Sequence, residues 1–302
     1  MDLLSSIIRF RARQSATHLG FLGCQVQAWF LRELGRHNPE HAKQLHTDHD
    51  EHSTQKISRP YTVSTLMKGE YPPRILAVGD WCWVRVTTLT EELSELLLNQ
   101  VLPSLLPINH IGPVELEVES WKEGPPDESL IQSDTYAGLL LQVMASSETR
   151  ISLDFASPTT FKQKNKKSGI EKDNPLPAPD MVFGSYLNHW LAYSGMEIDK
   201  AFGEFVEDYL AVNELHIRSE RVQFSSKETQ RAATSFVGQV RYAILRNKGK
   251  GQFGPIWEHY SNIARMLAAF SFYCGTGHHT TIGMGQTRPL PAQSIRESPS
   301  WQ

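Results

Sequence analysis

Between residues 5 and 121 the hydrophobic pattern changes period in a fixed order, and that order narrows the accessible folds more than any other feature. Residues 5–13, SSIIRFRAR, alternate as a strand does. Leu22, Val26, Phe30 and Leu34 recur at helical spacing over 21–34, and Pro39 either interrupts this helix or begins a second one reaching Leu45. Residues 46–58 are polar and read as a loop. Residues 61–67 and 80–89 are rich in β-forming side chains, so each reads as a strand. Thr90, Glu91 and Glu92 suit the start of a helix running to residue 106, because acidic groups favour the positive end of the helix dipole. Residues 113–121 alternate again. Strand, helix, strand, strand, helix, strand is the ferredoxin-like βαββαβ unit.

A similar order starts again after residues 136–144, which read as a bridging helix or strand. Residues 150–156 form a strand, 162–179 an exposed Lys- and Pro-rich loop, and 180–193 a helix. Residues 217–225 and 235–246 are strand candidates, 253–273 a long helix, and a last strand lies near Thr287. The expected class is α+β, with two tandem ferredoxin-like (RRM-like) domains over 1–147 and 148–302. No internal sequence repeat accompanies the repeated order.

No apolar run reaches the roughly 18–20 residues of a membrane span, and the arginines of the N-terminal stretch follow its apolar residues, against the order of a signal peptide. Cys24, Cys82 and Cys274 are isolated and odd in number, so neither a disulfide framework nor a zinc pattern is expected, and a reducing cytoplasm is. The net charge is −3, yet it is segregated: residues 91–134 carry ten acids and one lysine, while residues 241–302 carry seven Lys/Arg and two acids. Such a chain can present a basic face to nucleic acid while remaining mildly acidic overall. Ordinary solvated charge is the competing reading.

Three segments carry chemistry. Residues 274–288, CGTGHHTTIGMGQTR, place Gly275, Gly277, Gly283 and Gly285 in eleven residues. Backbone N–H groups unshielded by side chains can cradle phosphate. A turn that permits tight packing explains a bare glycine run equally simply. The second segment holds His37, His41, His46, His49 and His52. Zinc binding, one general acid–base histidine among bystanders, and solvated loop histidines all remain open on this pattern. The third is SPTTFK, residues 157–162, followed by Lys164, Lys166 and Lys167. The lysines could follow a phosphate backbone while Phe161 stacks on a base or merely anchors the loop.

In combination these stretches resemble the CRISPR-associated endoribonuclease that processes repeat RNA, a family of the RAMP superfamily. The resemblance is carried in order by QLHTDH with RPYTVSTL, LDFASPTTFK, PLPAPDMVFGSYLNHW, SFVGQVRYAI and FYCGTGHHTTIGMGQTR, spanning residues 44–288. It implies two ferredoxin-like domains and metal-independent cleavage of precursor CRISPR transcripts, with a 2′-hydroxyl attacking the adjacent phosphate. It also implies a catalytic histidine in a leucine–histidine pair before the first F/Y-T-x-S strand, here Leu45-His46, with His49 and His52 as competitors for the role.

The chemistry itself needs a base, an acid and a cation near the phosphate. His46 is the candidate base or acid, and Lys56 and Arg59 are the candidate cations. RNA contacts are assigned to Lys162, Lys164, Lys166, Lys167, Gly275, Gly277, His278, Gly283, Gly285 and Arg288, with Arg11 and Arg13 as weaker candidates. No cofactor and no metal are expected. CRISPR repeat RNA is the expected partner; a multi-subunit CRISPR effector complex and a homodimer are left open, and no membrane partner is expected. The competing functions are a non-catalytic RAMP-type RNA-binding subunit of a CRISPR effector complex and a metalloenzyme built on the histidine loop.

Overall fold

The computed structural model describes residues 1–47, 59–121, 128–144, 146–165, 167–224, 232–246 and 254–291. The chain forms two compact units: Met1–Thr135 with Gln223–Ala232 and His279–Met284, and Tyr136–Val222 with Ala233–His278 and Gly285–Gln302. No described helix is long and apolar enough to cross a membrane.

The first unit contains strands β1 (Leu3–Ala12), β2 (Tyr61–Val63), β3 (Trp81–Thr88), β4 (Ile108–Ile111), β5 (Val114–Ser120) and β6 (Gln132–Asp134). Its helices are α1 (Gly23–Gly35), α2 (Pro39–Thr47) and α3 (Glu91–Leu96), the last continuing as irregular helical turns to Ser104. The sheet order is β2-β3-β1-β5-β4, and β6 pairs with the start of β1. Without β4 and β6 this is the ferredoxin-like arrangement expected from the element order. Pleating puts Leu4, Ile8, Phe10 and Ala12 of β1 and Cys82, Val84 and Val86 of β3 in one core cluster with Val26, Trp29, Phe30 and Leu34 of α1. Phe10 and Trp29 meet edge to face at 5.6 Å. Ser5, Arg9 and Arg11 belong to the opposite register of β1.

The second unit begins with α4 (Tyr136–Met144) and β7 (Arg150–Thr159). β8 (Phe161–Lys164), β9 (Glu171–Asn174), α5 (Pro179–Tyr193), α6 (Ala201–Tyr209), β10 (Leu210–Gln223), β11 (Ala232–Ile244), α7 (Trp257–Cys274) and β12 (Thr287–Leu290) follow. Its main sheet runs β10-β11-β7-β12, again the ferredoxin-like order. Leu153, Phe155, Val240 and Tyr242 are buried, as are Phe183 and Trp190 of α5 and Leu267 and Phe270 of α7. Trp190 packs edge to face on both Tyr136 and Phe270.

Some boundaries differ from the sequence reading. The stretch expected as an exposed loop over 162–179 contains the β8–β9 hairpin. Its turn is closed by the Asn165 carboxamide, which accepts from the Lys167 and Ser168 N–H groups. The strand expected at 217 begins at Leu210, directly after α6. Pro39 begins a second helix. The polar residues 48–58 lie outside the described residues.

Candidate functional site

Three of the motif stretches form one piece of structure in the second unit, which holds the two ends of the glycine-rich segment; its middle, His279–Met284, belongs to the first unit. The glycine-rich segment begins where α7 stops: Gly275, at φ +67°, takes a backbone conformation that ends the helix. The segment then lies along the end of β7. The Gly285 N–H donates to the Pro158 carbonyl (2.9 Å) and the His278 N–H to the Thr160 carbonyl (2.8 Å). The Gln286 N–H donates to the Ser157 hydroxyl (2.8 Å). SPTTF is therefore the bed of the glycine segment, and its Ser157, Thr159 and Thr160 are buried.

Helix α5 holds the same segment from another side. The Gly277 N–H donates to the Ser185 hydroxyl at 2.9 Å. The Tyr186 hydroxyl pairs with the Thr276 hydroxyl at 2.7 Å, which pairs with that of Thr287 at 2.6 Å. Burial pushes the Tyr186 phenol far above its ordinary pKa, so its hydroxyl keeps its proton. The buried network closes the two ends of the segment, and the Thr276 N–H donates across it to the Gly285 carbonyl. Sequence reasoning assigned no role to Ser185 or Tyr186. The available signal was a polar pair on a helix otherwise presenting Val182, Phe183 and Trp190 to the core.

Close backbone approach accounts for two of the glycines. At Gly277, φ +76°, a β-carbon would sit 2.4 Å from the Thr160 carbonyl oxygen. At Gly283, φ +91°, it would sit 2.7 Å from the Thr65 nitrogen, and Gly283 bridges Ser64 in the first unit. The N–H groups of Gly275, Thr276, Gly277, His278 and Gly285 all donate within the chain. The phosphate cradle expected from glycine N–H groups thus meets donors already spent on the fold; His278, half-buried, is what the segment's first half offers as a side chain. In the first unit, the Ile282 carbonyl lies against Gly23, and the His279 ring packs 5.0 Å from Phe224.

The lysines after SPTTF separate into classes. Lys162 pairs with Asp173 across the hairpin at 2.7 Å. Lys164 and Lys167 are exposed, and Lys166 lies outside the described residues. Phe161 is buried and stacks on Phe236, so it anchors the hairpin and is no platform for a base. Arg288 pairs with Asp154 at 3.2 Å. Arg11 and Arg13 pair with Glu119 and Glu117.

The histidine cluster also divides. His37 Nε2 pairs with the Ser104 hydroxyl at 2.7 Å, and His41 Nδ1 with Glu92 at 3.2 Å. His46 stands in the last turn of α2; its side chain, and all of His49, His52 and Lys56, lie outside the described residues. Arg59, where the chain re-enters description, donates to the Tyr61 hydroxyl at 3.5 Å, as does Gln27 at 3.1 Å. Burial raises the Tyr61 pKa against the opposing influence of Arg59. Among the described residues no group of three or more His, Cys, Asp or Glu could hold a metal ion.

Residues 153–287 match the family model of the CRISPR-associated endoribonuclease Cas6. No curated protein matches the chain. Among solved structures it is similar to a Cas6 product complex, with a TM-score of 0.73 and 21% identity over 95% of this chain and 100% of that one. Thermus thermophilus Cas6 gives a TM-score of 0.64 at 22% identity, covering 95% of this chain and 98% of that one. A RAMP protein binding different RNA substrates gives 0.59 at 13% identity, covering 95% of this chain and 100% of that one. Over residues 153–287 the chain thus matches the Cas6 endoribonuclease family, and across nearly all its length it has the tandem ferredoxin-like fold of the solved Cas6 and RAMP proteins.

Proposed function

We propose that this chain is a metal-independent endoribonuclease that cleaves CRISPR repeat RNA in the precursor transcript. The observation that carries the reading is the match of residues 153–287 to an endoribonuclease family, over the stretch in which SPTTF, Ser185-Tyr186 and the glycine segment interlock. The 2′-hydroxyl 5′ to the cut attacks the phosphate in line, leaving a 2′,3′-cyclic phosphate and a 5′-hydroxyl. His46 transfers the proton as base or acid, since an imidazole titrates near neutrality. Lys56 stabilises the charge that builds on the phosphate. Holding the 2′-oxygen in line supplies much of the remaining acceleration.

In this reading the N-terminal domain, residues 1–147, supplies the catalytic loop and the C-terminal domain, 148–302, supplies most RNA contacts. Lys164, Lys166 and Lys167 contact phosphate, with Lys162, His278 and Arg288 as further RNA contacts. The glycines Gly275, Gly277, Gly283 and Gly285 shape the segment that carries His278. Replacing His46 with Ala tests the assignment. Cleavage should slow by about 10²–10⁴-fold, the usual worth of a proton-transfer group, with RNA affinity unchanged because binding is spread over many phosphates. A chain that binds repeat RNA but never cuts it would instead be the non-catalytic RAMP subunit.

A further inference from the structure

In the register of β1 opposite the one packed on α1 stands an arginine with no ion-pair partner among the described residues. Arg9 and Arg11 of β1 both place their guanidinium carbons over the ring of Trp81 on β3, at 4.1 and 4.0 Å. Two cations thus share one indole. Arg11 is compensated by Glu119, and Arg13, the next residue in that register, by Glu117. The Arg9 guanidinium has no hydrogen bond or ion pair among the described residues, and its Nε is buried without a partner. Trp81 is 37% exposed, so the layer reaches the surface. A half-buried guanidinium whose Nε is out of water, held against a partly exposed aromatic and with no carboxylate among the described residues, is a poor structural element and a good anion site.

The position of the layer says which anion. β1 and β3 are neighbouring strands of a βαββαβ sheet, paired antiparallel with Arg11 opposite Trp81 and Arg9 opposite Trp83. Arg9 and Arg11 stand in the register opposite the one packed on α1. Most of that register is buried, with Ser5, Ile7 and Arg85 all covered, and only its Arg9, Arg11 and Trp81 end reaches solvent; aromatic and guanidinium planes exposed on adjacent strands are how RRM-type sheets stack the splayed bases of single-stranded RNA. A base-paired helix offers the indole no free base plane, so it does not engage this layer. We propose that Arg9 and Trp81 form a binding site for single-stranded RNA, Arg9 pairing with a phosphate and the Trp81–guanidinium layer stacking against an adjacent base. This rests on the reading that the chain binds RNA, and it adds a site outside the glycine segment and the β8–β9 hairpin.

The test uses the full chain, a single-stranded oligouridine and a repeat hairpin without single-stranded flanks, each titrated over a range of salt. Arg9→Gln should weaken oligouridine binding several-fold and lower its salt slope by about 0.7, the value for one phosphate contact to a single strand. Trp81→Leu should weaken oligouridine binding about fivefold or more, and Trp81→Phe less, because stacking survives in a smaller ring. Hairpin affinity should stay the same in all three. Arg218→Gln, which removes an exposed arginine compensated by Glu220, should leave oligouridine binding unchanged. A thermal melt of each variant identifies any that fails to fold, and Arg9→Gln alone then decides. Wild-type oligouridine affinity and slope in folded Arg9→Gln would overturn the site while leaving the nuclease reading standing. Wild-type protein that binds neither RNA would overturn both.

Discussion

Gly23 opens α1, and helix propensity and packing give opposite signs for its replacement. Ala is preferred to Gly inside a helix by about 0.8–1.0 kcal/mol, so propensity predicts that Gly23→Ala stabilises. A β-carbon there would lie 1.7 Å from the Ile282 carbonyl oxygen and 2.6 Å from its carbonyl carbon. Both are backbone atoms, so no side-chain rotation relieves the overlap. Either α1 or the turn at Thr280–Ile282 must move by more than an ångström. The turn has little freedom, since His279 and Gly283 on either side of it hold φ +67° and +91° and Gly283 bridges Ser64. Overpacking of this kind costs about 1–3 kcal/mol, and the severity of this overlap places it at the upper end. After subtracting the propensity gain, a net loss of about 2 kcal/mol remains, which lowers Tm by about 4–8 °C. The assay is a thermal melt of Gly23→Ala beside wild type, followed by repeat-RNA binding at a temperature where both are folded. Affinity should fall, because the displaced turn belongs to the glycine segment. A Tm equal to or above that of wild type would refute the packing argument and leave propensity in charge.

Tyr186→Phe should cost about 1–2 kcal/mol, the loss of a buried hydroxyl's hydrogen bonds, and should weaken RNA binding by loosening the ends of the glycine segment; unchanged binding in a folded variant would make the network purely structural. Lys164→Ala with Lys167→Ala should flatten the salt dependence of RNA affinity by about 1–2 in slope, and an unchanged slope would place the RNA elsewhere. His189 is buried with its pKa lowered by desolvation. The unfolded chain therefore binds a proton that the folded one resists, so stability should fall as pH drops below about 6.5. His189→Gln should flatten that fall, and a stability–pH curve identical to wild type would remove His189 from the account.

The elements that were legible in the sequence are those whose apolar side chains follow a single period. α1 buries Val26, Trp29, Phe30 and Leu34 at three- and four-residue steps, and β1 alternates in burial over Ile8–Ala12, so both were visible; α7 is buried nearly all round from Tyr260, and its large apolar side chains still recur at helical steps. The β8–β9 hairpin was not legible: beyond Phe161 it is polar and exposed, so no hydrophobic alternation marks it. The start of β10 was hidden because Leu210 follows Tyr209 of α6 with no turn residue between them. For the site, the motifs were visible but their division of labour was not. Whether Gly277 serves a phosphate or a tight fit depends on the Thr160 carbonyl, which is distant in sequence and adjacent in space. Phe161 reads equally as a stacking residue or an anchor until Phe236 is found against it. His37 and His41 looked like members of one cluster with His46 until their partners, Ser104 and Glu92, were seen on other elements.

The central claim is cleavage of repeat RNA by its own 2′-hydroxyl without a metal ion. It is tested most directly by incubating the full chain with repeat RNA in excess EDTA and mapping both product ends at nucleotide resolution, beside a substrate carrying a single 2′-deoxy substitution 5′ to the cut. The account predicts one cut within the repeat in EDTA, a 5′-hydroxyl on one product and a 2′,3′-cyclic phosphate on the other, and no cut in the deoxy substrate. Cleavage that stops in EDTA and returns with Mg²⁺, or normal cutting of the deoxy substrate, would contradict it.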